Sequence, residues 1–173
     1  MEALTFWKTV TADRSNLLER LVGWLEEHGV DYCVVGGQAV NAYVEPLVSL
    51  DLDLAVAATD HDRLEALLRR DFELERFPHS INLSQQGSDL RVQLQTDPRY
   101  APFPPRAKRR DVLGFELPVA RLEDVLAGKV WAALDSTRRP SKRQKDLADI
   151  SRILERFPEM RTRVPPEILD KLL

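Results

Sequence analysis

The feature that most constrains what this chain can fold into is a short apolar strand running straight into two glycines, Tyr32-Cys33-Val34-Val35-Gly36-Gly37. Four apolar residues with no polar alternation, bounded by glycines, read as a central strand buried on both faces. Gln38 to Val44 has helical composition and stops ahead of Pro46, so the glycines form a tight turn from strand into short helix. A second strand follows at Leu50 to Ala57, where Leu52, Leu54 and Val56 alternate with Asp51, Asp53 and Ala55. That period of two gives the strand one apolar face and one acidic face. Strand, short helix and strand in such quick succession predict a mixed sheet flanked by helices, an α/β (α+β) fold.

The rest of the chain extends this plan. Leu17, Leu18, Leu21, Val22 and Leu25 recur at helical spacing ahead of Gly29, predicting an amphipathic helix over roughly Thr11 to His28. Thr59 or Asp60 is placed to cap a helix running to about Arg70, and strands are expected around Phe72–Phe77, Ile81–Ser84, Leu90–Thr96 and Phe115–Val119. The proline-rich stretch Pro98 to Pro105 reads as a loop. Helices are expected at about Leu122–Asp135, Lys142–Phe157 and from Pro166 to the end. With 173 residues one core is the natural outcome. Residues 1–120 form a sheet domain with an N-terminal helix, and 121–173 form a helical part packed on it.

Composition narrows the compartment and the partners. No apolar run approaches the roughly 20 residues that span a bilayer, and Met1 to Lys8 lacks the pattern of a secretory signal. Cys33 is the single cysteine, and within an apolar strand it reads as a small buried hydrophobe suited to a reducing cytoplasm. His28, His61 and His79 lack zinc-ligand spacing. The net charge of −3 conceals an asymmetry, −8 over residues 1–100 and +5 over 101–173. The first part suits cations and the second suits phosphates. Lys108-Arg109-Arg110 and Arg138-Arg139 with Lys142-Arg143 are either RNA-phosphate contacts or solvated surface charge, the commoner case.

Three groups of residues carry chemistry. Gly36-Gly37 either serves turn geometry alone or lets a backbone approach a phosphate at a helix start. Asp51 and Asp53 project from one face of a strand, roughly 7 Å apart at Cα, where a Mg²⁺ ion would relieve their repulsion. The plain alternative is the solvent-facing side of an edge strand. On helical wheels Lys129 falls among Leu122, Val125, Leu126, Val130 and Ala133, and Asp146 among Ile150, Ile153, Leu154 and Phe157. Charges aimed at buried faces need partners. Either these two pair with each other to lock two helices, or Lys129 merely snorkels to the rim, or Lys129 reaches a phosphate and Asp146 orients it.

The run from Val35-Gly36-Gly37 through Ser49-Leu50-Asp51-Leu52-Asp53 resembles the signature of the polymerase-beta-like nucleotidyltransferase superfamily, a Gly-Gly or Gly-Ser turn followed by Asp-x-Asp. Leu122-Glu123-Asp124, Lys129 and Lys145-Asp146-x-x-Asp149 resemble the helical part of its AbiEii/AbiGii-toxin-like branch. The resemblance implies a nucleotidyltransferase that moves a nucleoside monophosphate from an NTP to an acceptor hydroxyl. The acceptor would be RNA, tRNA or a small molecule, and a cognate antitoxin is an implied partner. It further implies catalytic roles for Asp51, Asp53, Lys129 and Asp146, Mg²⁺ on Asp51 and Asp53, and nucleotide binding by Gly36, Gly37, Gln38, Ser49 and Lys129.

Two positions depart from that pattern. Gln93, in Leu90-Arg91-Val92-Gln93-Leu94, stands where members of the superfamily generally carry a third carboxylate, and an amide cannot act as a base. Leu47 stands where an arginine is frequent. The alternative reading is therefore a catalytically degenerate relative that binds nucleotide, RNA or a protein partner, and a third is a plain RNA-binding module built on the basic C-terminal helices.

Overall fold

The computed structural model describes residues 16–59 and 61–172. Helix α1 (Leu17–Glu27) leads into β1 (Tyr32–Val35), and the short α2 (Gly36–Asn41) follows directly. Then come β2 (Asp51–Val56), α3 (His61–Leu68), β3 (Glu73–Phe77), β4 (Ser80–Ser84) and β5 (Arg91–Gln95). A 3₁₀ turn (Pro98–Tyr100) and the single-turn α4 (Phe103–Arg106) precede β6 (Lys108–Val112) and β7 (Phe115–Val119). The chain closes with α5 (Leu122–Leu134), α6 (Pro140–Arg156), a second 3₁₀ turn (Pro158–Arg163) and α7 (Pro166–Leu169).

The seven strands of the described residues make one mixed sheet in the order β3-β4-β5-β2-β1-β7-β6. The strand before the Gly-Gly turn and the acidic strand lie at its centre, antiparallel to each other, with β5 and β7 running parallel to β2 and β1 on either side. Burial follows the alternation read from the residues: Leu52 and Leu54 are fully buried together with Ile81, Leu94 and the apolar stripe of α1, Leu17, Leu18, Leu21 and Leu25. The opposite face of β2, β5 and β4 carries Asp51, Asp53, Arg91, Gln93, Gln95, Ser80 and Asn82, brought side by side by the strand register. A sheet face this polar has to meet solvent or a ligand rather than a core.

Several expectations are corrected. The first helix of the described residues begins at Leu17, because Asn16 takes a left-handed conformation (φ 54°) that interrupts a helix and that asparagine tolerates; residues 11–15 and Asp60, one of the two expected caps, lie outside the described residues. The Pro98–Pro105 stretch is not a plain loop. Asp97 caps its 3₁₀ turn by accepting from the Arg99 amide, and prolines occupy the start of α4, where the missing N–H groups have no partner to lose. Lys108-Arg109-Arg110 belongs to the edge strand β6, where charge discourages pairing with another chain. Arg110 lies over the Tyr43 ring, 4.2 Å from its centroid, and Arg109 donates to the Glu116 carbonyl at 2.6 Å. The last helix ends at Leu169.

Candidate active site

The register of β1 against β2 sets Val35 opposite Asp53, so the turn that leaves β1 starts beside the second carboxylate. Gly36 has φ +66°, and a Cβ added there would lie 2.2 Å from Asp53 Oδ2 and 3.0 Å from Asp53 Cβ. The glycine is therefore required twice, by its backbone conformation and by the carboxylate that fills the space a side chain would take. Gly37 has open space around the same position.

Asp53 pairs in register with Gln93 on β5, Gln93 with Asn82 on β4, and Asn82 with Glu75 on β3, a row of polar side chains running from the site to the sheet edge. Asp51 lies one step along the strand, opposite Arg91, whose Nε is 2.8 Å from Asp51 Oδ1. Across the cleft stands α6, and Lys142 Nζ reaches Asp51 Oδ2 at 3.3 Å.

The helical side is a relay of alternating charges. Lys129 Nζ is 3.1 Å from Asp146 Oδ1 and 2.7 Å from Asp149 Oδ2. Arg138, in the connection between α5 and α6, holds Asp146 Oδ2 through Nε at 2.6 Å. Arg152 binds Asp149 at 2.8 Å and donates to the Asn41 amide oxygen at 3.0 Å, tying α6 to the end of α2. Lys129 and Asp146 are 8 % and 1 % exposed. The pairing of these two residues, one of the three readings open from the helical wheels, is present, and Asp149 makes it a triad.

Two cavities flank this wall, of about 510 and 650 Å³. Both are lined by Asp53, Gln93, Lys129, Arg138 and Asp146, so they are two lobes of one cleft. The larger lobe adds Gly37, Ser49, Asp51, Arg91, Lys142 and Lys145, together with Glu73, Glu75 and Asp149, so its lining mixes cations and carboxylates. The other adds Gly36, His79, Gln95, Tyr100 and Trp131. Trp131 is engaged within the protein: Phe103 stacks on it at 5.8 Å and the Arg99 guanidinium lies 4.6 Å from its centroid.

The electrostatics follow from burial. Loss of water pushes the Asp53 carboxyl up to about 6, against the pull of Lys129 and with help from Asp51. For Lys129, burial pulls downward, but Asp149 and Asp146 outweigh it and hold the ammonium above its ordinary range. Burial, with the Asp124 charge, pushes the Cys33 thiol up to about 12.

Of the residues expected at the site, Gln38 lines neither lobe. Gln38 is buried with its amide turned to the following loop, donating to the Ser49 carbonyl at 3.2 Å and accepting from Asn41 at 3.3 Å. Ser49 Oγ accepts from the Asp51 amide at 3.2 Å, shaping the entry to β2. Asp124 is a structural tie, held by Arg106 through contacts of 2.7 and 3.1 Å. Leu47 is 59 % exposed. Conversely, Arg138 and Lys142, grouped above with surface charge, face the cleft, as do Arg91 and Asp149. Lys142 was legible: it lies four residues before Asp146 and seven before Asp149, on the same face of α6. Arg91 was not, because its role depends on which strand pairs with β2.

A central strand ending in a glycine turn, with two carboxylates on its antiparallel neighbour and a helical pair closing the cleft, is the architecture of a nucleotidyltransferase. The chain belongs to the family described as nucleotidyl transferase AbiEii toxin, type IV toxin-antitoxin system, whose profile matches residues 21–172. The family resemblance read from the residues is thus confirmed. Solved structures of the same fold include the antibiotic-resistance factor ANT(2'')-Ia, with TM-score 0.56 and 15% identity over 86% of this chain and 91% of that one. An antigenic nucleotidyltransferase-like protein from Paracoccidioides brasiliensis aligns with TM-score 0.51 and 22% identity over 86% and 75% of the two chains. The lincosamide antibiotic adenylyltransferase LnuA aligns with TM-score 0.51 and 12% identity over 82% and 98%. No curated protein sequence matches significantly. Among the described residues, no helix is long and apolar enough to cross a membrane.

Proposed function

We propose that this protein transfers a nucleoside monophosphate from an NTP to an acceptor hydroxyl, releasing pyrophosphate. The observation that carries the reading is the convergence of Asp51, Asp53, the Gly36-Gly37 turn and Lys129 on one cleft, one lobe of which also carries Arg91, Lys142 and Lys145. Two carboxylates are too few for a closed protein cage, but they suit Mg²⁺, which takes one or two carboxylates and completes its shell with water and substrate phosphates. Such an ion would offset phosphate charge and polarise the phosphorus under attack.

This chain's residues supply the rest. The larger lobe holds the triphosphate, with Arg91, Lys142 and Lys145 around it and Gly37 leaving room for close approach. Lys129, kept charged by Asp146 and Asp149, provides a fixed positive charge at the wall beside Asp53, where charge develops as pyrophosphate leaves. Gln38 supports the turn from behind, and Ser49 positions the strand that carries both aspartates. The acceptor hydroxyl enters from the other lobe, past Gln95 and His79. RNA, tRNA and small molecules are all acceptors compatible with the reading, and a toxin role with a cognate antitoxin and a cytoplasmic location rests on family membership.

One observation favours a second reading. Gln93 sits in register beside Asp53, where a carboxylate would serve as base, so the protein binds nucleotide and transfers slowly or not at all. Incubation with each α-labelled NTP, Mg²⁺ and total RNA decides between them. Label in RNA together with released pyrophosphate supports the transferase; Mg²⁺-dependent NTP binding without transfer supports the degenerate reading.

A further inference from the structure

Asp51 is the carboxylate best placed to receive a cation, yet each of its oxygens already faces a protein cation. Arg91 Nε lies 2.8 Å from Oδ1 and Lys142 Nζ 3.3 Å from Oδ2. The two partners differ in kind. Arg91 sits on the adjacent strand, directly opposite Asp51 in the ladder, with a rigid planar head. Lys142 comes from α6, ninety-one residues away in sequence and across the cleft, on a flexible four-carbon stem. Its surroundings mix both charges: Lys145, Arg138 and Arg91 line the same lobe as Asp53, Asp146 and Asp149. It is also less committed elsewhere than Arg138 and Lys129. Arg138 is held by Asp146, and Lys129 by Asp146 and Asp149, whereas Asp51 is the partner seen for Lys142.

We infer that Lys142 is an exchange cation of the polyphosphate site: it neutralises Asp51 in the empty cleft and passes to the phosphates when a cation-bearing triphosphate arrives. The physical case is charge conservation at a confined site. A divalent ion reaching Asp51 must displace a positive charge or endure its repulsion, while an incoming triphosphate brings negative charge that needs a new partner. A lysine whose ammonium swings between the two meets both requirements without moving the backbone. The contact is partly exposed, 31 % and 32 % for the two side chains, so exchange is cheap; a pair of this kind contributes about 1 kcal/mol or less. The inference rests on the reading of the larger lobe as the triphosphate site.

It makes Lys142 act in opposite directions on two ligands, which a merely structural lysine would not do. The probes are Mn²⁺ alone, followed by water-proton relaxation, and Mg²⁺-tripolyphosphate, followed by calorimetry, on wild type, Lys142→Met and Lys142→Arg. Lys142→Met should bind Mn²⁺ about fivefold more tightly, the free-energy scale of the lost pair converted to affinity, and Mg²⁺-tripolyphosphate several-fold more weakly. Lys142→Arg, which keeps the charge, should stay near wild type in both. Losses of both ligands together in Lys142→Met, or no change in either, overturn the exchange while leaving the site reading intact. Failure of wild type to bind Mg²⁺-tripolyphosphate at all overturns the site reading and the exchange with it. Thermal melts of the three proteins confirm that folded chains are being compared.

Discussion

Replacement of Asp53 by asparagine should stabilise the metal-free protein, and only above a definable pH. The carboxyl has its ordinary value, 3.8, in the unfolded chain and about 6 in the fold, raised first by burial and then by Asp51, with Lys129 opposing. Below the unfolded value both states are protonated and the residue costs nothing. Between about 4 and 6 the unfolded chain releases its proton while the folded one retains it, so stability falls as pH rises. Above about 6 the folded state carries an ill-solvated charge, and the cost is complete. Two pKa units correspond to roughly 3 kcal/mol, a ceiling because Asp53 keeps some access to the cleft. In Asp53→Asn that cost disappears. Urea unfolding of wild type and variant in the presence of a chelator, at intervals from pH 3 to 8, should give curves that nearly coincide at pH 3 and separate to at most about 3 kcal/mol by pH 7, the variant being the more stable. A constant difference across the range, or a less stable variant at pH 7, would refute the account of Asp53 as a desolvated charge.

Other residues give equally direct tests. Gly36→Ala should destabilise by about 2 kcal/mol or more, since it puts a Cβ at positive φ against Asp53, whereas Gly37→Ala, with open space around it, should be tolerated in thermal melts. Lys129→Met leaves Asp146 and Asp149 with only Arg138 and Arg152 and should cost about 3 kcal/mol in urea unfolding, the lower end for a broken buried ion pair. Gln93→Asp should raise the transfer rate by up to the 10²- to 10⁴-fold that general-base assistance supplies; an unchanged rate would show that another group serves, or that none is needed. Cys33, buried and with its thiol near 12, should react with a thiol reagent at neutral pH only as fast as the chain unfolds.

Much of the fold was legible because its signals are local. Tyr32–Val35 and Phe115–Val119 are strands at the bounds read from pattern, and α5 and α6 lie within a residue or two of expectation. What escaped depends on pairing over distance. Lys108–Val112 has no apolar alternation, and becomes a strand because β7 offers it a partner at the sheet edge. The prolines around α4 obscured a turn of helix that the Arg106–Asp124 pair fastens to α5. At the site, the face shared by Asp51 and Asp53 and the inward aim of Lys129 and Asp146 could be read from periodicity. That Asp149 completes the lysine's cage, that Asp53 occupies the space of a Gly36 side chain, and that Lys142 and Arg91 converge on Asp51 required the register of β2 with β1 and β5 and the packing of α6 across the cleft.

The central claim is that Asp51 and Asp53 together support nucleotidyl transfer in this cleft. The most direct measurement is pyrophosphate release and label transfer from α-labelled NTPs, with Mg²⁺ and RNA, comparing wild type with Asp51→Asn/Asp53→Asn after unfolding curves have shown both to be folded. The account predicts Mg²⁺-dependent transfer by wild type and loss of it in the double variant, whose stability is equal or higher at pH 7. Equal transfer by the two proteins would contradict it.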